Sequence, residues 1–499
     1  MEFLFGDMDM ERVAATATVQ ATVEGALPLP GGRRLSETEL MCFEGAVSVT
    51  KVTASAGAVT VEGRVRVELV CRGSAGEAEG GELFAFASGA AFRYSAAVPG
   101  AQEGMAAEAR AKLVALEIRQ GVELNLEALL ELECTAFEAK PMRTLTGVKG
   151  CPVEFSHIPI QSVKEKALGA GVTTLREEAE LKGACRVLSA RGECAVREVS
   201  CGGDSASVEG QLFVTILYQG EQGPESTQEQ FPFQMEVALD DRPAGECFAE
   251  VAVEGIEARL LEGMEGLCGI QVRMGAVIRC YEACGTTAPK DAYLPGAAMG
   301  SVKGKAAFLC RGKRRCFRHA VMETIPLTEG MPAAAGAVCC SVRPLVTGAS
   351  AAEGTLMVEG VLFLRSVLRT AAGELLSFPA EIPFACDTPC GGEFDRAFGE
   401  ARCLDACLSA EGDRVMLNCV LLVEATPYRL VETELVTGME ERECPPRRRA
   451  MVLYYAARGE TLFDVGKRFS LPRAAIAQCN PDAAEELKEG QPLLFLSGR

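Results

Sequence analysis

A tripeptide, Val-Glu-Gly, occurs three times in the chain, and each copy begins a stretch typical of a β-strand. The three stretches are VEGRVRVELVC from Val61, VEGQLFVTILY from Val208 and VEGVLFLRSVL from Val358. Their glycines, Gly63, Gly210 and Gly360, lie about 150 residues apart, which suits domain-sized units. An internal repeat of this length predicts three copies of one structural unit.

The first copy has the alternation of a half-buried strand. Apolar and charged side chains follow each other with a period of two, so one face is dry and the other meets water. The dry face comprises Val61, Val65, Val67, Leu69 and Cys71. In the second copy the same alternation is carried by Leu212, Val214, Ile216 and Tyr218. The third copy is apolar on both faces, which predicts a more deeply buried strand.

Each Val-Glu-Gly stretch is followed by a turn region and by further β-rich sequence. The final strands of the three copies read LEALLELECTAF, GIQVRMGAVIRCYEA and VMLNCVLLVEATPY. Short strands and turns at regular spacing favour antiparallel β-domains. We therefore predict a mainly β protein with three repeated antiparallel β-domains, at residues 1–140, 160–300 and 301–438. A linker at 439–450, containing EERECPPRRR, is expected to hold a small domain at 451–499 apart from them.

The final domain is predicted to have the order strand, helix, helix, strand. Residues 452–455 form a short apolar run, and Thr461 suits the N-cap of a first helix. A second helix is expected to begin near Pro472 and to end at Asn480, a residue that tolerates the left-handed conformation. Its inward face would comprise Ala475, Ile476 and Cys479. Residues 493–496 would form the closing strand.

This βααβ order, with the turn GETL and the helix stop NP, resembles a LysM domain, the small module best known for binding the glycan strands of peptidoglycan. The resemblance implies a shallow groove between the loop after the first strand and the loop before the last. Carried over by position, the glycan- or partner-binding residues are Gly459, Glu460, Thr461, Leu462, Asn480, Pro481 and Leu487. The chain has no tryptophan, so Tyr454, Tyr455 and Phe463 could stack on a sugar only if they are exposed.

The Val-Glu-Gly repeat, the tail and the segment DAYLP at residues 291–295 together resemble SipL-like proteins with SPOCS-type domains. That family comes from spore-forming bacteria and places several such domains ahead of one LysM domain. The resemblance implies a non-catalytic scaffold or morphogenetic protein of the spore envelope. Such a protein would dock through its LysM domain on N-acetylated peptidoglycan or on a spore-coat protein. Its location would be the mother-cell cytoplasm at the forespore surface, or the coat.

The composition of the chain argues against several classes of function and location. A net charge of −19 argues against nucleic-acid binding, which requires basic surfaces that replace phosphate counterions. The N-terminal MEFLFGDMDMER lacks the basic and apolar regions of a signal peptide, and no apolar run reaches the roughly 18 residues of a membrane span. The 22 cysteines are scattered through apolar strand patterns, which favours reduced thiols that pack as small hydrophobic groups. We interpret the adjacent Cys339 and Cys340 in the same way.

No catalytic motif is recognisable in the sequence, and we predict neither an enzyme nor a cofactor. The two histidines, His157 and His319, lie outside nucleophile and metal motifs. Cys310, Cys316 and His319 could supply three metal ligands, but a basic turn beside a strand end is the favoured interpretation. Two alternative functions remain at this stage. One is a cell-wall peptidoglycan-binding protein with β spacers, and the other is a wall hydrolase whose carboxylates meet only in space.

Overall fold

The computed structural model describes residues 1–8, 10–32, 38–73, 82–138, 141–243, 245–441 and 450–497. Within these residues the chain forms 23 β-strands and two short α-helices, which confirms the prediction of a mainly β protein. Alternating Val, Leu, Thr and charged residues favour strands because one face of each pleated strand can be buried. Neither helix in this part of the chain is long and apolar enough to cross a membrane.

Three sets of six strands, termed units 1, 2 and 3, share one pairing order. Unit 1 comprises β2 (Val13–Leu27), β3 (Thr38–Ser55), β4 (Ala58–Gly73), β5 (Leu83–Ala97), β6 (Ala106–Gln120) and β7 (Leu124–Phe137). Unit 2 comprises β9 (Glu154–Glu180), β10 (Ala184–Gly202), β11 (Ser205–Gly220), β12 (Gly223–Ala238), β13 (Cys247–Leu260) and β14 (Leu267–Tyr293). Unit 3 comprises β16 (Arg315–Pro326), β17 (Ala334–Ala352), β18 (Thr355–Thr370), β19 (Leu375–Pro389), β20 (Arg396–Glu411) and β21 (Arg414–Glu441).

Each unit contains two antiparallel sheets. The second, third and fourth strands form one sheet around the third, and the first, sixth and fifth form the other around the sixth. In unit 3 a single residue pair, Ser350 with Arg396, joins the two sheets. Every unit has its own apolar cluster made from the inward side chains of both sheets. The arrangement is that of a small β-sandwich, in which side chains of two facing sheets interdigitate.

The Val-Glu-Gly stretches lie in β4, β11 and β18, the central strands of their sheets. The predicted dry face of β4 is buried, with at most 1% exposure for Val61, Val65, Val67, Leu69 and Cys71. In β18 Leu362 and Leu364 are buried, whereas Val361 and Phe363 are only half-buried. The second face of β18 is better covered than that of β4, where Arg64, Arg66 and Glu68 are exposed, so β18 is the more deeply buried strand, as predicted.

The repeated glycines lie where a side chain has no room. A Cβ atom on Gly63 would lie 2.3 Å from the carbonyl oxygen of Ser48 and 2.6 Å from the ring of Phe92. Phe92 is the cross-strand partner of Gly63, and its ring covers the glycine. The same surroundings recur in the other units, with Ala195 O and Phe233 at Gly210, and Leu345 O and Phe384 at Gly360. Close strand approach under an aromatic ring thus explains the glycine of each repeat.

The three units meet at a shared apolar cluster that we call the hub. In the second strand of each unit a β-bulge takes one residue out of the pairing register, and these residues are Met41, Leu188 and Val338. All three side chains pack in the hub, together with Val70, Leu217 and Val367 from the third strands. Each of these last residues lies seven positions after the repeat glycine. Equivalent positions therefore face one another around a pseudo-threefold axis.

Polar side chains at equivalent positions also meet beside the hub. Glu44, Arg191 and Ser341 each lie 19 residues before a repeat glycine. The Arg191 guanidinium pairs with the Glu44 carboxylate, and Ser341 Oγ donates to Glu44 Oε2 at 2.7 Å. Burial lowers the pKa of Arg191, but the charges of Glu44 and other neighbouring groups together outweigh burial, and the net pKa is raised. One position of the repeat thus supplies an acid, a base and a hydroxyl to one network.

A ring of arginine contacts joins the units in cyclic order. Each contact runs from a guanidinium of one unit to a backbone carbonyl of the next, at the start of its fourth strand. The pairs are Arg72 with Leu375 O at 3.4 Å, Arg369 with Pro224 O at 2.5 Å, and Arg186 with Leu83 O at 3.4 Å. The order unit 1 to unit 3 to unit 2 to unit 1 closes the ring. A charged donor strengthens each bond to a carbonyl.

A second region, which we call the stalk, extends from the three units. It consists of three antiparallel ribbons: β1 (Phe3–Met8) with β8 (Met142–Val148), the start of β9 with the end of β14, and β15 (Met299–Arg311) with the end of β21. All three ribbons contribute to two apolar clusters, which contain Met8, Ile160 and Phe308 in one and Leu145, Leu294 and Val436 in the other. β9, β14 and β21 run through both regions, so the stalk and the units share strands.

The residues after β21 form a small C-terminal module. Its elements are β22 (Ala450–Tyr455), α1 (Leu462–Phe469), α2 (Arg473–Cys479) and β23 (Pro492–Ser497). β22 and β23 pair antiparallel, and both helices pack on one face of this ribbon around Val465, Ile476 and Leu493. Of the predicted linker, residues 439–441 belong to the end of β21 and residue 450 begins β22. Its central part, 442–449, lies outside the described residues.

The crowding around the repeat glycines gives a stability prediction. We expect Gly210→Ala to lower the free energy of unfolding by about 1–3 kcal/mol, because its Cβ would overlap the carbonyl of Ala195 and the ring of Phe233. Gly336→Ala in β17 is the matched control, since a Cβ there meets nothing within 4 Å. Urea unfolding of the purified variants measures both. Equal stability of the two variants would contradict the proposed role of the glycine.

Candidate functional site

The first loop of the predicted groove is held by a helix cap. Thr461 is the N-cap of α1: its Oγ1 accepts from the backbone N–H of Asp464 at 3.2 Å. The Asp464 carboxylate accepts in return from Thr461 N at 2.9 Å. The predicted capping role of Thr461 is therefore confirmed, and Asp464 completes a capping box. The Thr461 hydroxyl is already engaged within the module.

Glu460 is buried instead of lining a groove. Its side chain is 7% exposed and accepts hydrogen bonds from Tyr454 Oη at 2.8 Å and Ala457 N at 3.0 Å. Arg468 Nη2 lies 2.8 Å from the other carboxylate oxygen. A buried carboxylate is tolerated when such donors replace its water shell. Glu460 thus ties β22 to the last turn of α1.

The two loops of the predicted groove are bonded directly to each other. Leu462 N donates to Glu485 O at 2.9 Å, and Leu487 N donates to Glu460 O at 3.0 Å. Leu462 and Leu487 are 4% and 6% exposed, and both belong to the module core. The side chains of these two predicted binding residues therefore stabilise the fold. The exposed positions of the predicted set are Gly459 and Pro481, with Thr461 and Asn480 half-exposed.

The end of α2 differs from the prediction in two ways. Asn480 has φ −136°, which is extended, and the left-handed residue is Ser470 at the end of α1, with φ 54°. Asn480 instead acts through its side chain, whose Oδ1 accepts from Leu494 N at 2.8 Å and whose Nδ2 donates to Leu494 O at 2.9 Å. Cys479 is exposed and does not face inward. Of the three residues predicted to face inward, only Ile476 is fully buried.

The outer face of the β22–β23 ribbon is apolar, and none of the described residues covers it. We call this the ribbon face, and its large side chains are Met451 at 72% exposure, Leu453 at 58%, Tyr455 at 61%, Leu494 at 44% and Leu496 at 67%. They lie side by side, because Met451 pairs with Leu496 and Leu453 pairs with Leu494. Ribbons of two strands normally bury one face, and here the opposite face packs on the helices. No charged residue interrupts the ribbon face.

The helical side of the module is latched to the stalk through the DAYLP segment. The ring of Tyr293 packs edge-on against Phe463 with ring centroids 5.1 Å apart, and its hydroxyl donates to Leu471 O at 2.9 Å. A Cβ on Gly466 would lie 2.2 Å from Tyr293 Oη, so the glycine makes room for the tyrosine. Phe463 is consequently buried and unavailable for stacking on a sugar.

Charged contacts surround this latch. The Asp291 carboxylate pairs with Lys467 and accepts from Ser301 Oγ at 2.8 Å, and Arg473 Nε lies 2.7 Å from Glu154 Oε2. Burial raises the pKa of Asp291. The hydrogen bonds from Lys467 and Ser301, together with the nearby lysine charges, lower it by more, so the net pKa lies below its usual value. The expectation that the linker holds this domain apart was wrong, because these contacts place the module against the stalk.

Comparison with known protein families adds one finding. Residues 184–261 match the SPOCS domain of SipL. The matched stretch covers β10 to β13 and includes the second Val-Glu-Gly copy. This likeness supports a SipL-like chain and points to a sporulation-related protein. No curated protein and no solved structure matches the chain.

The suggested metal ligands are not brought together. Cys310 is buried in the stalk, whereas Cys316 and His319 lie on β16 of unit 3, where Cys316 contacts Glu424. Burial raises the pKa of the Cys316 thiol to about 11, which disfavours the thiolate that a metal requires. Among the residues that the structure describes, no three His, Cys, Asp or Glu side chains form a group that could hold a metal ion.

Sequence reasoning missed both surfaces of the module. The DAYLP segment was recognised only as a family feature, although its tyrosine and aspartate supply the latch. The ribbon face was present in the sequence as the alternation of Met451, Leu453 and Tyr455 with Val452 and Tyr454. Both sets are apolar, so the pattern alone does not decide which side of β22 is buried.

Removing the Tyr293 side chain tests the latch. We expect Tyr293→Ala to increase hydrogen exchange at residues 293–297 and 466–473, because the Gly296 N–H bond to Ser470 O depends on docking. Tyr293→Phe, which loses only the bond to Leu471 O, should weaken docking by about 1 kcal/mol. Tyr455→Ala, at an exposed tyrosine, is the control. Unchanged exchange in Tyr293→Ala would refute the latch.

The latch should also depend on pH. A carboxylate whose pKa is lowered by docking favours the docked state above its usual pKa and loses that contribution as the pH falls through the lowered value. The protection of residues 466–473 from hydrogen exchange, corrected for intrinsic exchange rates, should therefore decline as the pH falls below the ordinary aspartate pKa. Asp291→Asn should show weaker protection near neutrality and a flatter dependence in acid. Identical acid profiles for both proteins would exclude Asp291 as the titrating group.

Proposed function

We propose that the chain is a non-catalytic scaffold of the spore envelope, which docks through its C-terminal module to a spore-coat protein. The similarity of residues 184–261 to a SPOCS domain supports the sporulation context. The order strand, helix, helix, strand supports treating the module as LysM-like. Its work would be done at the forespore surface or in the coat.

The ribbon face is the observation that carries the choice of a protein partner. Four of its five large side chains are aliphatic or thioether groups, and Tyr455 is the one aromatic among them. Sugars are usually bound by aromatic stacking and by directed hydrogen bonds, which Leu and Met side chains do not provide. Contiguous exposed apolar side chains are instead typical of protein–protein interfaces.

Latching leaves the ribbon face available. The contacts with the stalk involve α1, Leu471 and Arg473, on the helical side of the module. The helices pack on the ribbon from the inside, so the ribbon face points away from them. A scaffold needs this arrangement, in which a fixed support presents one free binding surface.

Docking on peptidoglycan is the second candidate. It is favoured by the exposed Gly459 and Pro481 and by the half-exposed Thr461 at the rim of the two loops. The backbone bonds of Leu462 N and Leu487 N to the facing loop leave fewer groups for N-acetyl recognition there. A cell-wall protein with β spacers would use the same rim. A wall hydrolase would in addition need paired carboxylates.

A double substitution on the ribbon face tests the proposal. The full-length chain should cosediment with peptidoglycan-free spore coats and remain in the supernatant with purified peptidoglycan sacculi. Leu453→Glu with Leu496→Glu should reduce coat binding at least about tenfold. A tenfold change in affinity corresponds to roughly 1.4 kcal/mol, and burial of each leucine side chain can contribute more than that to the binding free energy. Both residues are exposed, so the substitution should leave the fold intact.

Met322→Glu provides the matched control, because Met322 is 77% exposed on β16, away from the module. Its coat binding should equal that of the unmodified chain. Strong retention on sacculi that survives the double substitution would favour the glycan reading. Release of soluble fragments from labelled sacculi would overturn the non-catalytic assignment.

A further inference from the structure

Two cysteines occupy equivalent positions beside the hub. Cys42 and Cys339 each lie 21 residues before a repeat glycine, on the second strands of units 1 and 3. Unit 2 has Ser189 at this position. Each of the three residues directly follows the bulged residue of its strand, so the pseudo-threefold axis brings them toward one another.

The two thiols lie in one apolar cluster and on either side of a unit boundary. Cys42 is 4% exposed and Cys339 is 9% exposed, and both belong to the hub. Cys42 Sγ, from unit 1, donates to Arg365 O of unit 3 at 3.4 Å. Cys339 pairs in register with Val367, which lies two residues after Arg365 on β18. The thiol of unit 1 therefore already reaches into unit 3.

A cavity gives small molecules access to this pair. It has a volume of about 230 Å³ and is lined by Cys42 and Cys339 together with Arg191. Glu68 and Ala87, which are exposed, also line it, so the cavity reaches the surface between units 1 and 2. A water molecule occupies about 30 Å³ in the liquid, so hydrogen peroxide fits easily.

The interaction between the two thiols shifts their pKa values in opposite directions. The adjacent Cys42 thiol stabilises a Cys339 thiolate and lowers the pKa of Cys339, and the Arg191 guanidinium acts in the same direction. The pKa of Cys42 is raised well above its usual value, first by the Cys339 neighbour and then by burial. A thiolate beside a protonated thiol and a cation is the arrangement of an attacking and a resolving cysteine.

We propose that Cys339 and Cys42 form an oxidative modification site, at which a peroxide links unit 1 to unit 3 through a disulfide. The Cys339 thiolate attacks one peroxide oxygen, the O–O bond breaks, and Cys339 becomes a sulfenic acid. The departing hydroxide takes up the proton that Cys339 released and becomes water. Cys42 then attacks the sulfenic sulfur, and the S–O bond breaks as the hydroxyl leaves with the Cys42 proton as a second water.

The disulfide would link units 1 and 3 at the hub. Two thiols are oxidised by two electrons, and one peroxide is reduced to two waters. The disulfide would join β3 to β17 and close a loop of nearly the length of two units, which restricts the unfolded chain strongly. Oxidation is therefore expected to make the assembly of the three units harder to unfold.

Peptide mapping of the reduced full-length chain, treated with hydrogen peroxide and digested without reductant, tests the proposal. A linked peptide containing Cys42 and Cys339 is expected, together with an upward shift of the thermal unfolding midpoint. Cys42→Ser should abolish the link and allow dimedone to trap Cys339 as a sulfenic acid. Cys339→Ser should abolish both the link and the dimedone adduct at the hub.

Serine should be accommodated at these positions, because unit 2 carries Ser189 at the equivalent place. Unfolding midpoints of the reduced variants check this, and Cys42→Ala serves as a second variant. Cys403→Ser is the control: Cys403 packs against the core of unit 3 and is not a member of the hub, so the linked peptide should persist. The proposal is overturned if exposed Cys479 is oxidised while Cys42 and Cys339 stay unlinked, or if Cys339 links to another cysteine.

Discussion

The packing of three bulged side chains, Met41, Leu188 and Val338, is the contact on which the rest of the arrangement depends. A β-bulge turns a side chain away from the sandwich to which its strand belongs. Each unit thereby offers one extra apolar group outside its own core, and the three groups cover one another. Once they meet, the equivalent positions Glu44 and Arg191 are also brought together, and the ring of arginine-to-carbonyl bonds closes around them.

Strand continuity carries this order from the hub to the C-terminal module. β9, β14 and β21 begin or end in the stalk, so the positions of units 2 and 3 fix two of its three ribbons. The stalk in turn presents Tyr293 and Asp291 to α1. The module is thus held by a side that is rich in directed contacts, while its ribbon face stays free. This division between a latched side and a free apolar side is the physical basis for proposing a docking role.

Sequence reasoning reached the strands more reliably than their contacts. Period-two alternation identified the buried face of β4 because a half-covered strand records its burial in its own pattern. It could not find the phenylalanines that cover the repeat glycines, because Phe92 and Gly63 meet only through cross-strand register. Nor could it find the polar network, since Glu44, Arg191 and Ser341 share a position but no chemistry. Leu462 and Leu487 were assigned to a binding groove by position within a family, whereas burial places them in the core.

A β unit similar to a SPOCS domain and a module that presents an apolar surface together support the proposed scaffold role at the forespore. The most direct measurement is the location of a fluorescent fusion of the full-length chain in sporulating cells. A scaffold role predicts a shell of fluorescence around the forespore. Diffuse fluorescence throughout the mother cell, or a signal along the outer cell wall, would contradict it.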